Sequence, residues 1–440
     1  MNSQPARPSH ETDQRHAKLP PSNQTLFERT LNAENLEQAW KRVRANKGAA
    51  GIDGLTIDDF PAYWRAHGSS VLTLIRGGNY QPYPVKRCYI EKEDGSLRAL
   101  GIPTVLDRII QQAIVQILTP IVDVGFSDAS YGFRPGRSQH QAVYKVKEHM
   151  KAGKKVVVDV DLSKFFDRVN HDLLMTLVGR QISDKALLKL IASYLRAGVV
   201  EDGCLTETRE GVPQGGPLSP LLSNIMLDVL DKELEARGHT FVRYADDFVI
   251  MVKSQRAGER VMAGITHFIE KKLKLVVNEK KSRVVSGQAL EFLGFMFKQG
   301  KLQWSPKAIL VFKHEVRKLT SRSWGVSVAY KIQKLSVYLR GWINYFGIAN
   351  RYQQCVDLDQ WIRRRLRMCY WKQWRKIKTR VGNLIRLGAN KKTAIACGTS
   401  RKGYWRSSKT KGIHQAINDT FLAKQGLFSL VAGWINIHHG

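Results

Sequence analysis

Two adjacent aspartates, Asp246 and Asp247, sit inside an apolar run, TFVRYADDFVIMV (240–252). The run reads as two short strands with the acidic pair at or beside their turn. Like charges that close repel, and burying either one costs more. A divalent cation removes the conflict: Mg²⁺ takes carboxylate oxygens in octahedral geometry and retains waters in its remaining positions. A second acid-bearing strand could supply the other half of such a site. KKVVVDVDL (154–162) reads as a buried strand with Asp159 and Asp161 on one face and Val156, Val158 and Val160 on the other. Two ions about 3.5–4 Å apart can activate a 3′-hydroxyl and stabilise a leaving pyrophosphate. An Asp-Asp pair alone is more often a solvated turn; the flanking FVR and FVIM make this one unusual.

The elements that must position these acids follow from apolar periodicity. A helix is expected over Asn35–Arg44, with Leu36, Ala39, Trp40 and Val43 at helical spacing. CYIEKEDGSLRALGIP (88–103) reads as a hairpin with Asp94-Gly95 at its tip. Helices are expected over Leu106–Leu118, closed by Pro120, and over Arg168–Val178, Asp184–Leu195, Leu221–Arg237 and 257–273. Strand candidates lie around Ser282–Val285 and Leu290–Phe297. Beyond Ser305 the pattern is helical, over Ala329–Phe346 and Leu358–Ile377, and the last fifty residues read as irregular.

Composition narrows the partners. The 440 residues carry 70 Lys and Arg against 38 Asp and Glu, a formal net charge of +32. Residues 301–440 hold 28 basic against 4 acidic residues and eight of the ten Trp. A merely solvated face would mix charge signs; basic residues interleaved with large aromatics suit phosphates and bases. An anionic membrane is the other polyanion to weigh, but no run approaches the roughly 20 apolar residues of a bilayer span. The five cysteines are scattered without a CxxC pair, and the polar N-terminus has no signal-peptide core. A reducing, cytosolic setting is expected.

Six blocks now acquire a common meaning. FVRYADDFVIM resembles the YxDD motif of reverse transcriptases, and VVDVDLSKFFDRVNHDLL the strand-to-helix motif that carries their other catalytic Asp. VPQGGPLSPLLSN resembles the QGGxxSP loop beside template and incoming nucleotide. RALGIPTVLDRIIQQAI and YGFRPGRSQHQAV resemble further blocks of group II intron enzymes, and LEFLGF resembles the primer grip. LSVYLRGWINYFGIANRYQQCVDLDQWIRRRLRMCYWKQWRKIK (335–378) is similar to the maturase-specific or X domain, which doubles as the polymerase thumb. Residues 400–427 resemble, more loosely, the short C-terminal DNA-binding region of small bacterial members.

The resemblance implies roles residue by residue. Asp161 and Asp246 bind both metals, Asp247 completes the acidic cluster, and the carbonyl of Leu162 adds an oxygen. Asp159 falls outside the ligand position and is read as a supporting carboxylate. Phe166 walls the sugar C2′ and rejects a 2′-hydroxyl, whereas Phe165 is a core aromatic. Lys92 and Arg98 face the triphosphate; a three-residue hairpin loop pairs them on one face, whereas a two-residue loop would separate them. Gln214 positions nucleotide or template base, and Gly215 and Gly216 permit close backbone approach. Among Arg363, Arg364, Arg365 and Arg367, which must cover more than one helix face, some serve structure.

The implied fold is α+β, a right-hand polymerase. Residues 1–25 are expected to be a disordered tail, 26–302 fingers and palm with an antiparallel sheet, 303–381 the helical thumb and maturase domain, and 382–440 a basic C-terminal DNA-binding region. The implied function is an RNA-directed DNA polymerase that binds its group II intron RNA, assists splicing and copies the intron at a DNA target from a primer. Expected cofactors are two Mg²⁺, with Mn²⁺ able to substitute. Expected partners are intron RNA, an RNA template with DNA primer, target DNA and dNTPs, with no membrane. The alternative is an RNA-binding splicing cofactor whose polymerase activity is secondary. After Gly382 stand one Cys, Cys397, and three His, His414, His438 and His439. That is too sparse for the paired ligands of a nuclease module. His438-His439 is expected in a frayed end. The resemblance is therefore to the small bacterial type that lacks the endonuclease.

Overall fold

The computed structural model of the chain describes residues 24–91, 95 and 97–440. The expected tail lies outside them up to residue 23, and so does Lys92. The acid-bearing strands share one four-stranded antiparallel sheet, ordered Thr240–Tyr244, Asp247–Val252, Val156–Val160, Arg283–Ser286. Both faces are buried, which explains runs rich in Val, Ile and Phe rather than a polar alternation. Val158, Val160, Phe248 and Ile250 join the core of helices Ser219–Ala236 and Gln255–Lys272. Val157, Val249 and Met251 face a second core that begins on helix Gln139–Lys151 and continues through Phe292, Phe295 and Trp304 to Leu335, Leu339 and Ile362.

A second sheet, ordered Leu97–Ile102, Val85–Glu91, Val199–Glu201, Cys204–Thr206, stands beside the first. A three-stranded one, Lys301–Trp304, Phe295–Lys298, Glu291–Phe292, leads into helices Pro306–Leu319, Val328–Phe346 and Tyr352–Gln373. Helix starts follow capping chemistry: the side chains of Asn32, Ser254, Ser305 and Ser327 each accept a first-turn backbone N–H.

Several boundaries differ from expectation, each for a local reason. Helix Val105–Val122 runs through Pro120; two residues from its end, a missing N–H costs one bond and the chain passes into a 3₁₀ turn, Asp123–Gly125. Val105–Gly125 is long and apolar enough to cross a membrane, but most of it is buried in the protein core. The helix expected at 168–178 is two, Phe165–Arg168 and His171–Gln181, because Asn170 leaves helical geometry to cap the second. Ile377 opens a separate helix, Ile377–Arg386.

The last fifty residues are not irregular. They form helices Lys391–Gly398, Tyr404–Ser407, Lys411–Ala416, Asp419–Lys424 and Leu430–His439, with Ala394, Ile413, Leu422 and Leu430 in the core. Nor is His438 frayed: it stacks on Trp434 at 3.9 Å between centroids and hydrogen-bonds the Gly347 carbonyl at 2.9 Å. The buried Asp359 carboxylate accepts from Ser429 and the Leu430 N–H, capping this last helix from outside it.

Candidate active site

The sharp turn between strands Thr240–Tyr244 and Asp247–Val252 is Ala245-Asp246, with Tyr244 paired to Asp247. Ala245 takes a left-handed φ of 58°. On the neighbouring strand Asp159 pairs with Val249 and Val160 with Phe248, so the register carries Asp161 toward Asp247 on the same face. Asp161 leaves its strand under control. Its N–H donates to Ser282 Oγ (3.0 Å), its carbonyl accepts the Asn278 N–H (2.8 Å), and its Oδ2 accepts the Asn278 amide (2.9 Å). Leu162 bridges Val277, fixing the backbone just beyond.

The electrostatics of this group are unbalanced. Burial, then the carboxylates of Asp159, Asp246 and Asp161, push the Asp247 carboxyl up to about 7. Asp246 is also raised, by burial and by Asp161, against the pull of its own backbone N–H, Arg98 and Arg243. Asp159 is raised by burial although Arg283 stands 3.3 Å away. Asp159 therefore adds to the field at Asp247 while spending its own charge on Arg283. Among the described residues no three His, Cys, Asp or Glu side chains converge closely enough to enclose an ion. This donor set still suits Mg²⁺, which is commonly held by one or two carboxylates with substrate phosphates rather than by an all-protein cage.

Arg98 and Gln214, far apart in sequence, meet here: Arg98 Nε donates to Gln214 Oε1 at 3.0 Å. The hairpin register differs from both expected ones. Glu91 pairs with Leu97 and Ile90 with Arg98, so Arg98 is not opposite Lys92, which lies outside the described residues. Strand Leu97–Ile102 is also tied to the QGG loop at its other end, where the Gly101 N–H donates to the Gln214 carbonyl at 2.7 Å. Gly215, at φ 130°, lies so close to the Gly101 carbonyl that a Cβ would collide with it. Gly216 is similarly tight against Gln111. The close approach these glycines permit is to the protein's own backbone and side chains. Phe166 and Phe165 pack edge to face at 5.1 Å, exposed by 8% and 2%.

Sequence reasoning missed what lies beneath the turn. Arg243 and Asp231 are fully buried and joined by two guanidinium nitrogens, at 2.8 Å and 2.5 Å. Arg243 Nη1 also donates to the Ala245 carbonyl (3.0 Å) and to Asn224 Oδ1 (2.9 Å). The Asn224 amide in turn donates to the Gly132 carbonyl (2.9 Å), and a Cβ at Gly132 would collide with the Ala245 backbone N. The YGF loop, the helix after the QGG loop and the Asp-Asp turn thus meet at one guanidinium. The only signal in the sequence was a basic residue in an apolar strand.

The arginine-rich helix divides its work, as its spacing requires. Arg367 is buried and donates to the Ile417 carbonyl and Asp419; Arg363 pairs with Asp419 at 2.8 Å. Arg364 stacks 3.6 Å over Trp405, and Arg365 lies over Trp361.

Residues 90–297 match the family model for reverse transcriptase (RNA-dependent DNA polymerase), and residues 309–388 that for the group II intron maturase-specific domain. Protein YkfC of Escherichia coli (strain K12) is 35% identical, the match covering 59% of this chain and 79% of that protein. Group II intron-encoded protein LtrA of Lactococcus lactis subsp. cremoris is 28% identical over 75% of this chain and 71% of its own. Among solved structures, a partial Cas6-RT-Cas1–Cas2 complex is 29% identical, covering 56% of this chain and 43% of that one, with a TM-score of 0.38. The acidic hairpin, the two family models and the curated relatives agree: the chain belongs to the group II intron-encoded reverse transcriptases and maturases, RNA-directed DNA polymerases joined to a splicing domain.

Proposed function

We propose that this chain extends a DNA primer on an RNA template by a two-metal mechanism, with Asp161, Asp246 and Asp247 and the Leu162 carbonyl as its metal ligands. The observation that carries this reading is the register that sets Asp161 opposite Asp247 beside the Ala245-Asp246 turn, where burial and neighbouring carboxylates push the Asp247 carboxyl up. Such a charge excess destabilises the protein unless a cation relieves it. Bound Mg²⁺ would supply activation of the 3′-hydroxyl and neutralisation of the leaving pyrophosphate. The chain's own residues do the rest. Arg98, already directed by Gln214, offers a guanidinium to the triphosphate on the Asp246 side of the turn. Gln214 keeps its amide N–H₂ for the nucleotide or template base. Phe166 supplies the wall against a 2′-hydroxyl. The Arg243 bond to the Ala245 carbonyl holds the turn rigid, so the two aspartates need no rearrangement when substrate arrives.

Within this reading residues 303–381 act as thumb and intron-RNA surface and 382–440 as the target-DNA surface, supported by the 28 basic against 4 acidic residues beyond 300. The test is primer extension on an RNA template with Mg²⁺, beside a splicing assay on the cognate intron. Asp161→Ala and Asp246→Ala should abolish extension and spare RNA binding. Undiminished extension by both would sink the reading.

A further inference from the structure

Tyr131 and Gly132 lie against the catalytic turn, and of the four consecutive residues Tyr131 to Arg134 three are buried. The Tyr131 N–H donates to the Arg243 carbonyl at 2.8 Å. Gly132 is held by Asn224 and packed on Ala245. The Arg134 guanidinium donates to Asp123 and to the Ser127 and Ser130 carbonyls. Between these anchors Phe133 alone turns outward, 53% exposed, at a left-handed φ of 59°. Either feature is unfavourable for a phenylalanine: water against an apolar ring, and a backbone conformation that Gly or Asn adopts at less cost. Such outliers persist where the surroundings enforce them, and they gather at ligand clamps.

The ring's position says which ligand. Its centroid is 6.4 Å from that of Tyr244, whose register partner is Asp247. Tyr345, on the helix Val328–Phe346, lies within electrostatic reach of both Tyr244 and Asp247 and donates its hydroxyl to the Leu293 carbonyl of LEFLGF. Arg98, bonded to Gln214, acts electrostatically on Asp246. In templated synthesis the nucleotide enters on one side of the metals and the finished duplex leaves on the other. With the Arg98–Gln214 pair taken as the entry side, the polymerase reading puts Phe133, beside Tyr244, on the side where the duplex leaves. There a duplex presents anionic phosphates, which an uncharged ring cannot grip, polar base edges, which it cannot hydrogen-bond, and the C–H faces of sugars.

We propose that Phe133 packs its ring on the sugar of the primer strand next to the 3′-end, so that Phe133 and Tyr244 together seat the primer terminus over the acidic turn. The inference rests on the polymerase reading above and adds a primer contact to it.

The experiment measures affinity of the full-length protein for a fluorescent DNA primer annealed to an RNA template, together with steady-state extension and thermal melting. Phe133→Asn keeps a residue that tolerates the left-handed backbone and removes the ring. It should weaken primer–template binding about 5–10-fold. The loss should fall on KM for primer rather than kcat, and the melting temperature should hold or rise by about 1–2 °C. Phe133→Trp should recover most of the affinity. Phe133→Ala, which removes the ring without easing the backbone, should show the same binding loss with no rise in melting. Wild-type affinity in the Asn and Ala variants would overturn the inference, and so would a fall in melting that tracks the affinity loss, because the ring would then be core packing. Extension that stays dependent on Asp246 in these variants leaves the polymerase reading standing; extension by Asp246→Ala itself would remove that reading first.

Discussion

Replacing Asp247 by Asn should stabilise the metal-free protein while abolishing DNA synthesis. The size follows from the site. The folded protein holds this carboxyl at about 7, against an ordinary value of 3.8. At about 1.4 kcal/mol per pH unit, ionising it in the fold costs up to about 4 kcal/mol. Asp247 keeps part of its surface in solvent, so about half of that, about 2 kcal/mol, is the expected gain on removing the charge. The sign is fixed by linkage. A carboxyl raised in the folded state stabilises below its unfolded value and loses that contribution as pH rises through about 7. The advantage of Asp247→Asn should therefore be near zero at about pH 4 and fully developed by about pH 8. Thermal melts in chelator at these pH values should separate the two proteins by about 2–4 °C at the upper end. Adding Mg²⁺ should raise wild type more than the variant and narrow the gap. A gap that does not change with pH, or a variant that melts below wild type at about pH 8 in chelator, would refute the argument that Asp247 is a destabilising charge awaiting a cation.

Phe166→Val should admit ribonucleotides more readily; single-nucleotide incorporation with dNTP against rNTP reads this, and unchanged selectivity puts the sugar wall elsewhere. Arg243→Ala leaves Asp231 buried and unpaired, and should cost about 3–5 kcal/mol in denaturant unfolding. Arg243→Lys, which cannot reproduce the two-pronged pairing, should recover only part of the lost stability and kcat. Exchanging the exposed Arg401, Lys402 and Arg406 for Gln should flatten the dependence of DNA binding on salt by about one unit of log–log slope for each phosphate contact removed. An unchanged slope would mean these residues do not touch nucleic acid.

The acidic hairpin was legible because its information is local. The apolar run of TFVRYADDFVIMV broken by its acidic pair marks two strands and a turn, the period of two in KKVVVDVDL marks a face, and the structure keeps Asp161, Asp246 and Asp247 where these put them. What was not legible depends on partners remote in sequence. Nothing near Arg98 says that Gly101 is tied to the Gln214 carbonyl, yet that bond goes with the hairpin register. Nothing near Leu430 says that Asp359 will cap its helix. The C-terminal helices are four to ten residues long, too short to hold alone, and they exist because Ile413, Leu422 and Leu430 find a core.

The joint beneath the catalytic turn also sets terms for recombination. Gly132 and Asn224 are 92 positions apart, and each reaches the turn by a separate stretch of chain. A crossover between two relatives anywhere from 134 to 223 would give a hybrid whose loop comes from one parent and whose helix and turn come from the other. Even where the crossover falls between motif blocks, such a hybrid seats its aspartates wrongly unless both parents share the same Gly, Asn, Asp and Arg. Crossovers before Ala129 or after Ala245 carry the joint whole. Productive exchange among these enzymes should therefore cluster outside that interval, and a library of chimeras sorted for primer extension would map its edges.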